Sequence, residues 1–102
     1  MTILNYTPHS ITLNDGTVYP SVGIARVSAE FKQIGKLFYS QEFGDIVGLP
    51  EPKEDTIYIV SFMVLLATYE AGRRDCVAPA TGHPDCIRDK NGFIKSVPGF
   101  VL

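Results

Sequence analysis

Residues 72–92, GRRDCVAPATGHPDCIRDKNG, hold three of the chain's four arginines (Arg73, Arg74 and Arg88), both cysteines and one of its two histidines. Such a set could clip a metal, close a disulfide, build a nucleophile or grip an anion. Cys76, His83, Asp85 and Cys86 fall within eleven positions, but six residues separate Cys76 from His83. Structural zinc usually shows paired ligands at tighter spacing, so a metal site is not expected. A disulfide is open geometrically, yet no export signal is visible and reduced thiols packing as small hydrophobes are the simpler expectation. Neither cysteine follows a nucleophile elbow or an oxyanion-type glycine turn, which argues against a Cys–His nucleophilic pair. His9 and His83 could act as acid and base, but each stands in a proline-containing turn where a surface imidazole is ordinary. Glu51, Glu54 and Asp55 read most simply as a solvated loop.

The anion reading has the better physics. Arginine presents a planar fork that matches phosphate oxygens, stays charged at any working pH and can lie against an aromatic or purine face. Short glycine-containing loops leave backbone amides free to join it. A salt-bridged surface is the competing expectation: Arg73 or Arg74 with Asp75, and Arg88 with Asp89 or Asp85, pairs of the kind that contribute little. Arg26 is more diagnostic. It lies among Ile24, Ala25 and Val27, so it must either face solvent or be held there for a reason.

The elements that position these residues follow from pattern and punctuation. At 102 residues the chain reads as one domain, residues 1–102, with one core. Short β-type runs alternate with Gly and Pro, giving a mostly β (α+β) class: a small antiparallel β domain with one or two short helices. SITLNDGTVYP reads as a hairpin about an Asp15-Gly16 type I′ turn. GIARVS is a further strand, and LFYSQEFGDIVGLP reads as two pieces pivoting near Gly44, ended by Pro50 and Pro52. Thr56 to Val60 is β-branched and aromatic. Ser61 then caps the main helix, about residues 61–70, which stops before Gly72. CVAP, CIRD and GFIKS complete the strands, the last two joined through Asn91-Gly92. SFMVLLATY is the core segment.

Charge narrows the function classes. The formal net charge is −2, which gives no clustered basic face for duplex nucleic acid. Residues 1–70 carry four basic and eight acidic side chains, and residues 71–102 carry five and three. A small anion would therefore find its partners late in the chain. The longest apolar run, IYIVSFMVLLA, is eleven residues, against about 20 for a membrane span. With no signal-peptide pattern at the start, the expectation is a soluble, cytoplasmic protein with no membrane partner.

NYTPHSITL, GIARV, GLPEP, TIYIVS and the tail RRDCVAPATG…IRDKNGFIKSVPGF, taken in order, span nearly the whole chain. Together they resemble the phage Thoeris anti-defence proteins of the first described kind, sponges that sequester cyclic ADP-ribose signals made by bacterial TIR-domain proteins. The resemblance implies a homo-oligomer built from dimers, ligand pockets between subunits and no chemistry on the bound nucleotide, hence neither an enzyme nor a cofactor. Some relatives also sequester cyclic oligonucleotides at a separate site. It implies phosphate contacts for Arg26 and Arg88, and an adenine-stacking aromatic from TIYIVSF, with Phe62 ahead of Tyr58. Arg73 and Arg74 complete the candidate ligand-binding set. The segment APATGHPDC departs from the simpler Pro-Gly loop of the family. Three other readings stand beside the sponge: an inhibitor that blocks a host protein through its surface, a phage accessory or minor structural protein, and an enzyme degrading a nucleotide signal through His9 or His83.

Overall fold

The computed structural model describes residues 1–102. In chain order it contains β1 (Thr2–Asn5), β2 (Ile11–Thr12), β3 (Val18–Tyr19), β4 (Arg26–Gln33), β5 (Tyr39–Val47), β6 (Thr56–Ile59), α1 (Phe62–Glu70), β7 (Cys76–Pro79), β8 (Ile87–Arg88), β9 (Ile94–Ser96) and β10 (Phe100–Val101). The class is mostly β with one short helix, as its sequence patterns suggest. No helix is long and apolar enough to cross a membrane.

The central sheet has the order β1-β6-β7-β10. β2–β3, β4–β5, β8–β9 and β7–β10 pair antiparallel, but β6 runs parallel to both β1 and β7. Parallel neighbours need a crossover, and α1 is that crossover between β6 and β7. Strands buried in this way read as continuous apolar runs rather than alternating ones, which accounts for TIYI and CVAP. Tyr58, Val60, Val64, Leu65, Cys76 and Ala78 are buried together with Ala25 from the chain entering β4.

Local signals set the helix. Ser61 caps it, its Oγ accepting from the Val64 amide at 3.4 Å. At the other end Gly72 takes φ +81°; its amide donates to the Tyr69 carbonyl and the Arg73 amide donates to that of Thr68. This pair of bonds is a Schellman stop, which needs the left-handed conformation that glycine adopts without strain. The stop delivers the chain directly into Arg73 and Arg74.

Both Asp-Gly and Asn-Gly hairpins form, with a different turn from the one their dipeptides suggest. Only the glycine of each has positive φ, +95° at Gly16 and +85° at Gly92. The Gly16 amide donates to the Leu13 carbonyl and the Gly92 amide to that of Asp89. Each loop is thus a tight turn closed by one left-handed glycine, rather than a two-residue type I′ turn. β5 is a single strand and not two pieces; the register slips opposite the Val27–Ala29 step, absorbing the irregularity near Gly44 within one ladder.

Candidate functional site

A cleft of about 420 Å³ lies at the N-terminal end of α1, within the range of small-ligand sites. One wall is the 7–12 segment and another is β9 with the residues around it; Ser61, Phe62, Pro79 and Thr81 complete it. The 7–12 wall is held by Asn5, buried at the end of β1. Its Oδ1 accepts from the Thr7 amide (2.9 Å) and hydroxyl (2.7 Å), while its Nδ2 donates to the carbonyls of His9 and Tyr19 (both 2.8 Å). One buried amide side chain therefore fixes the loop, with both ends of its hydrogen-bonding capacity used.

The lining chemistry is one-sided. Six hydroxyl residues (Thr7, Ser10, Thr12, Ser61, Thr81 and Ser96) face it, along with His9 and Lys95, and no carboxylate does. The first turn of α1 carries no acidic residue, so the positive end of the helix dipole has no side-chain anion beside it. Phe62, at the first helical position, is 59% exposed. Its ring lines this cleft and an adjoining one of about 440 Å³ formed with residues 79–83 and Val101. A third depression shares Pro8 and Ser61 with the first and contains Arg26.

Sequence-derived candidates divide between two places. Arg26 opens β4, is exposed, and engages no side-chain hydrogen bond or ion pair; its depression meets the main cleft at Ser61. Arg88 is exposed, and its fork holds two loops together, Nη1 donating to the Gly92 carbonyl (3.0 Å) and Nη2 to that of Thr81 (3.2 Å). It thereby fixes the cleft residue Thr81 and pairs with neither Asp85 nor Asp89. Phe62 lines the main cleft, which shares Ser61 with the Arg26 depression and Thr81 with the Arg88 contact.

Tyr58, Arg73 and Arg74 are placed elsewhere. Tyr58 is buried in β6, meets Tyr6 edge-on at 5.6 Å and donates from its hydroxyl to the Glu51 carbonyl at 3.2 Å. Its ring belongs to the core, because the continuous apolar run of a parallel strand turns inward on both faces. Arg73 donates from Nε and Nη2 to the two carboxylate oxygens of Asp75 at 3.0 and 2.7 Å, with its guanidinium carbon 5.8 Å from the Tyr58 ring. These hydrogen bonds hold the Asp75 carboxyl below the usual aspartate range. Arg74 lies over Tyr69 at 4.7 Å and donates to the carbonyls of Arg73 and Tyr69. For Arg73 the salt-bridged expectation is the one realised.

The thiols and histidines separate in the same way. Cys76 is buried, and its thiol is pushed up to about 11, first by burial and then by the charge of Asp75. A thiol so protonated at neutral pH is a poor nucleophile. Cys86 is half-buried, and both cysteines are free. His83 is exposed, its Nδ1 accepting from the Asp85 amide at 3.0 Å. No group of His, Cys, Asp or Glu is arranged to hold a metal.

Lys95 and Asn5 were not legible as site residues. Lys95 sits in an ordinary alternating strand, and Asn5 looks like any asparagine before a turn. His9, an acid–base candidate by residue type, stands on the wall of the cleft. Comparison with known proteins matches the chain to no family model, no curated protein and no solved structure.

Proposed function

We propose that this chain captures a small nucleotide dianion of the cyclic ADP-ribose type in the cleft at the start of α1, and holds it without transforming it. The observation that carries the reading is Phe62: a large aromatic face, more than half bare, beside a cleft with hydroxyls, an amine and an imidazole but no carboxylate. A purine stacks on such a face, and base–aromatic stacking contributes about 1–3 kcal/mol. Phosphate oxygens would take hydrogen bonds from Lys95, the hydroxyls of Ser10, Thr12, Ser61 and Thr81 and the uncommitted Arg26 fork, the Thr7 and Ser96 hydroxyls already donating to Asn5 and Asn14, with the N-terminal end of α1 favouring negative charge. Thr81 would be presented at fixed height by Arg88.

The sequence resemblance supplies the biological setting of this reading: a phage protein acting in the cytoplasm of an infected bacterium, blocking immune signalling by removing the messenger. Cyclic oligonucleotides at a second site, and an assembly of dimers with pockets between subunits, belong to the same proposal. A sponge must hold its ligand more tightly than the host sensor does. Nanomolar binding corresponds to about −12 kcal/mol, so a shallow cleft on one copy gains from a neighbouring copy that covers it and excludes water.

Incubation of the purified chain with cyclic ADP-ribose isomers, removal of unbound nucleotide, heat denaturation and chromatography test this directly. Recovery of the intact cyclic molecule is expected. Recovery of a linear product would make the chain an enzyme, and recovery of nothing would favour the reading in which its surface inhibits a host protein.

A further inference from the structure

The β4–β5 ladder is a two-strand ribbon of its own, and its base packs on the core through Val27 and Ile46. Its far end is apolar and bare. Phe31, Ile34, Leu37, Phe38 and Tyr39, five large side chains within nine residues, are each more than half exposed. They do not share one face. The register places Phe31 and Tyr39 on one side of the ribbon. Ile34 and Phe38, joined by the Ile34 amide donating to the Phe38 carbonyl at 3.0 Å, fall on the other, with Leu37 in the connection between them. A protein partner laid along the ribbon covers one side and leaves the other wet. A medium that surrounds the tip covers both.

Charge is sorted along the same axis. Residues 31–41 contain Lys32 and Lys36 and no carboxylate; the first carboxylates towards the base, Glu30 and Glu42, stand directly opposite each other. The Ile34–Phe38 pair is four residues beyond them, about 13 Å of strand. Interfacial elements enter a bilayer by about 5–10 Å. The tip can therefore reach the edge of the acyl chains while Glu30 and Glu42 stay in water, where an anionic surface repels them and limits further entry. Lysine stems bury along apolar surroundings while the ammonium reaches back to the headgroups, and tyrosine suits the same level. The turn is prepared as well. The Ile34 amide donates to Phe38 at 3.0 Å and the Phe38 amide to the Gly35 carbonyl at 3.4 Å, and main-chain groups carried out of water need such partners.

We infer that the β4–β5 tip is a membrane-interface anchor, placing Ile34, Leu37 and Phe38 in the headgroup boundary of an anionic bilayer with Lys32 and Lys36 among its phosphates. A single apolar anchor holds a protein only marginally, and stable attachment takes a second signal such as basic residues beside it. The tip combines the two. The expectation of no membrane partner rested on the shortness of the longest apolar run; a hairpin that enters the interface without crossing needs no such run. The inference is independent of what the cleft binds.

Flotation of the full chain, without nucleotide, on vesicles of equal parts phosphatidylglycerol and phosphatidylcholine at low salt provides the test. Co-flotation is expected. Lys32→Gln with Lys36→Gln should weaken partitioning by about 30-fold, the share of two cations near the surface, and Leu37→Ser with Phe38→Ser should abolish it. Val18→Ser, at an exposed apolar position of β3, should leave it unchanged. The chain contains no tryptophan, so Leu37→Trp supplies a single reporter. Its emission should shift to the blue on vesicles and be quenched by brominated acyl chains, whereas that of Val18→Trp should do neither. A native chain left at the bottom of the gradient overturns the inference, as does flotation insensitive to the double serine variant. Association of the tip with a second copy or a host protein, with the vesicles bare, overturns it equally. Should the serine variant not fold, the Leu37→Trp reporter decides, and emission that stays at the wavelength of an aqueous indole overturns the anchor. Nucleotide capture measured without vesicles bears on the sponge alone.

Discussion

The two ends of α1 carry similar side chains in opposite states. At the C-terminal end Arg73 is bound to Asp75, Arg74 lies on Tyr69 and on main-chain carbonyls, and Tyr58 is buried beneath. Cations belong there, since a helix ends in unsatisfied carbonyls and partial negative charge. At the N-terminal end Phe62 is bare, Arg26 has no partner, and no carboxylate lines the cleft. Arginine and aromatic are present at both ends; only at one is their bonding capacity left over. Residue type marks where an anion could be held, and the satisfaction of each group decides whether it is.

The largest expected effect separates the ends by capture. Phe62→Ala combined with Arg26→Ala should weaken nucleotide binding by more than about 3 kcal/mol, over a hundredfold, adding a lost stacking face to a lost charged contact. Arg73→Ala should leave affinity unchanged while lowering the melting temperature. Isothermal titration of both variants reads the contrast, and equal losses from the two ends would break it.

Alkaline pH probes the committed end alone. The folded Cys76 thiol is raised to about 11 from an ordinary 9.0, so the unfolded chain loses this proton first. The associated stability is complete below about pH 9 and is lost as pH rises towards 11, by up to about 2 kcal/mol. Tyr58, also raised by burial, adds loss at the top of the range. Denaturant unfolding between pH 8 and pH 11 should therefore show a steeper decline for the native chain than for Cys76→Ala. Parallel curves would mean that burial does not hold the thiol protonated.

Asp75→Asn is expected to cost somewhat less, about 1–2 kcal/mol, a value between those of exposed and buried pairs because both side chains are 18% exposed. The sign with acid is opposite to that of the thiol. Asp75 has a depressed folded pKa, so the stability of the pair is present above the ordinary aspartate range and disappears as pH falls through the lower folded value. The native chain and the asparagine variant should converge in strong acid, and capture should be the same in both at neutral pH.

The legible part of the fold is what the chain encodes locally. Ser61 and Gly72 bracket the helix because capping is written within a few residues of each end. Asp15-Gly16 and Asn91-Gly92 mark their hairpins for the same reason, although how many residues take positive φ depends on loop length. β1 has no local signature, because its partner begins at Thr56 and a parallel pair leaves no turn between its strands. β10 is two residues long. Within the site, Arg26 stands out as a charge among apolar strand residues and Phe62 is singled out by the family resemblance, whereas Asn5 and Lys95 acquire their roles only when the 7–12 loop, β9 and the helix start converge. Tyr58 is a core residue; aromatic character says nothing about which way the ring faces.

Arg88 is where the contrast between the two ends is least sharp, and it carries the smallest expected effect. Its fork is already engaged by two carbonyls, like Arg74, yet one of these belongs to Thr81 on the cleft wall. If it acts only as a staple, Arg88→Ala should cost about 1 kcal/mol in stability, the net value of exposed hydrogen bonds, with a similar small loss of capture from a loosened Thr81. If its remaining donor capacity reaches phosphate, the loss of capture should be at least about 1.5 kcal/mol and exceed the loss of stability. Arg88→Lys discriminates further, because an ammonium keeps the charge but cannot span both carbonyls as a planar fork does. Capture restored by lysine would assign Arg88 to the ligand; capture still reduced, with Thr81→Ala giving the same deficit, would assign it to the loop.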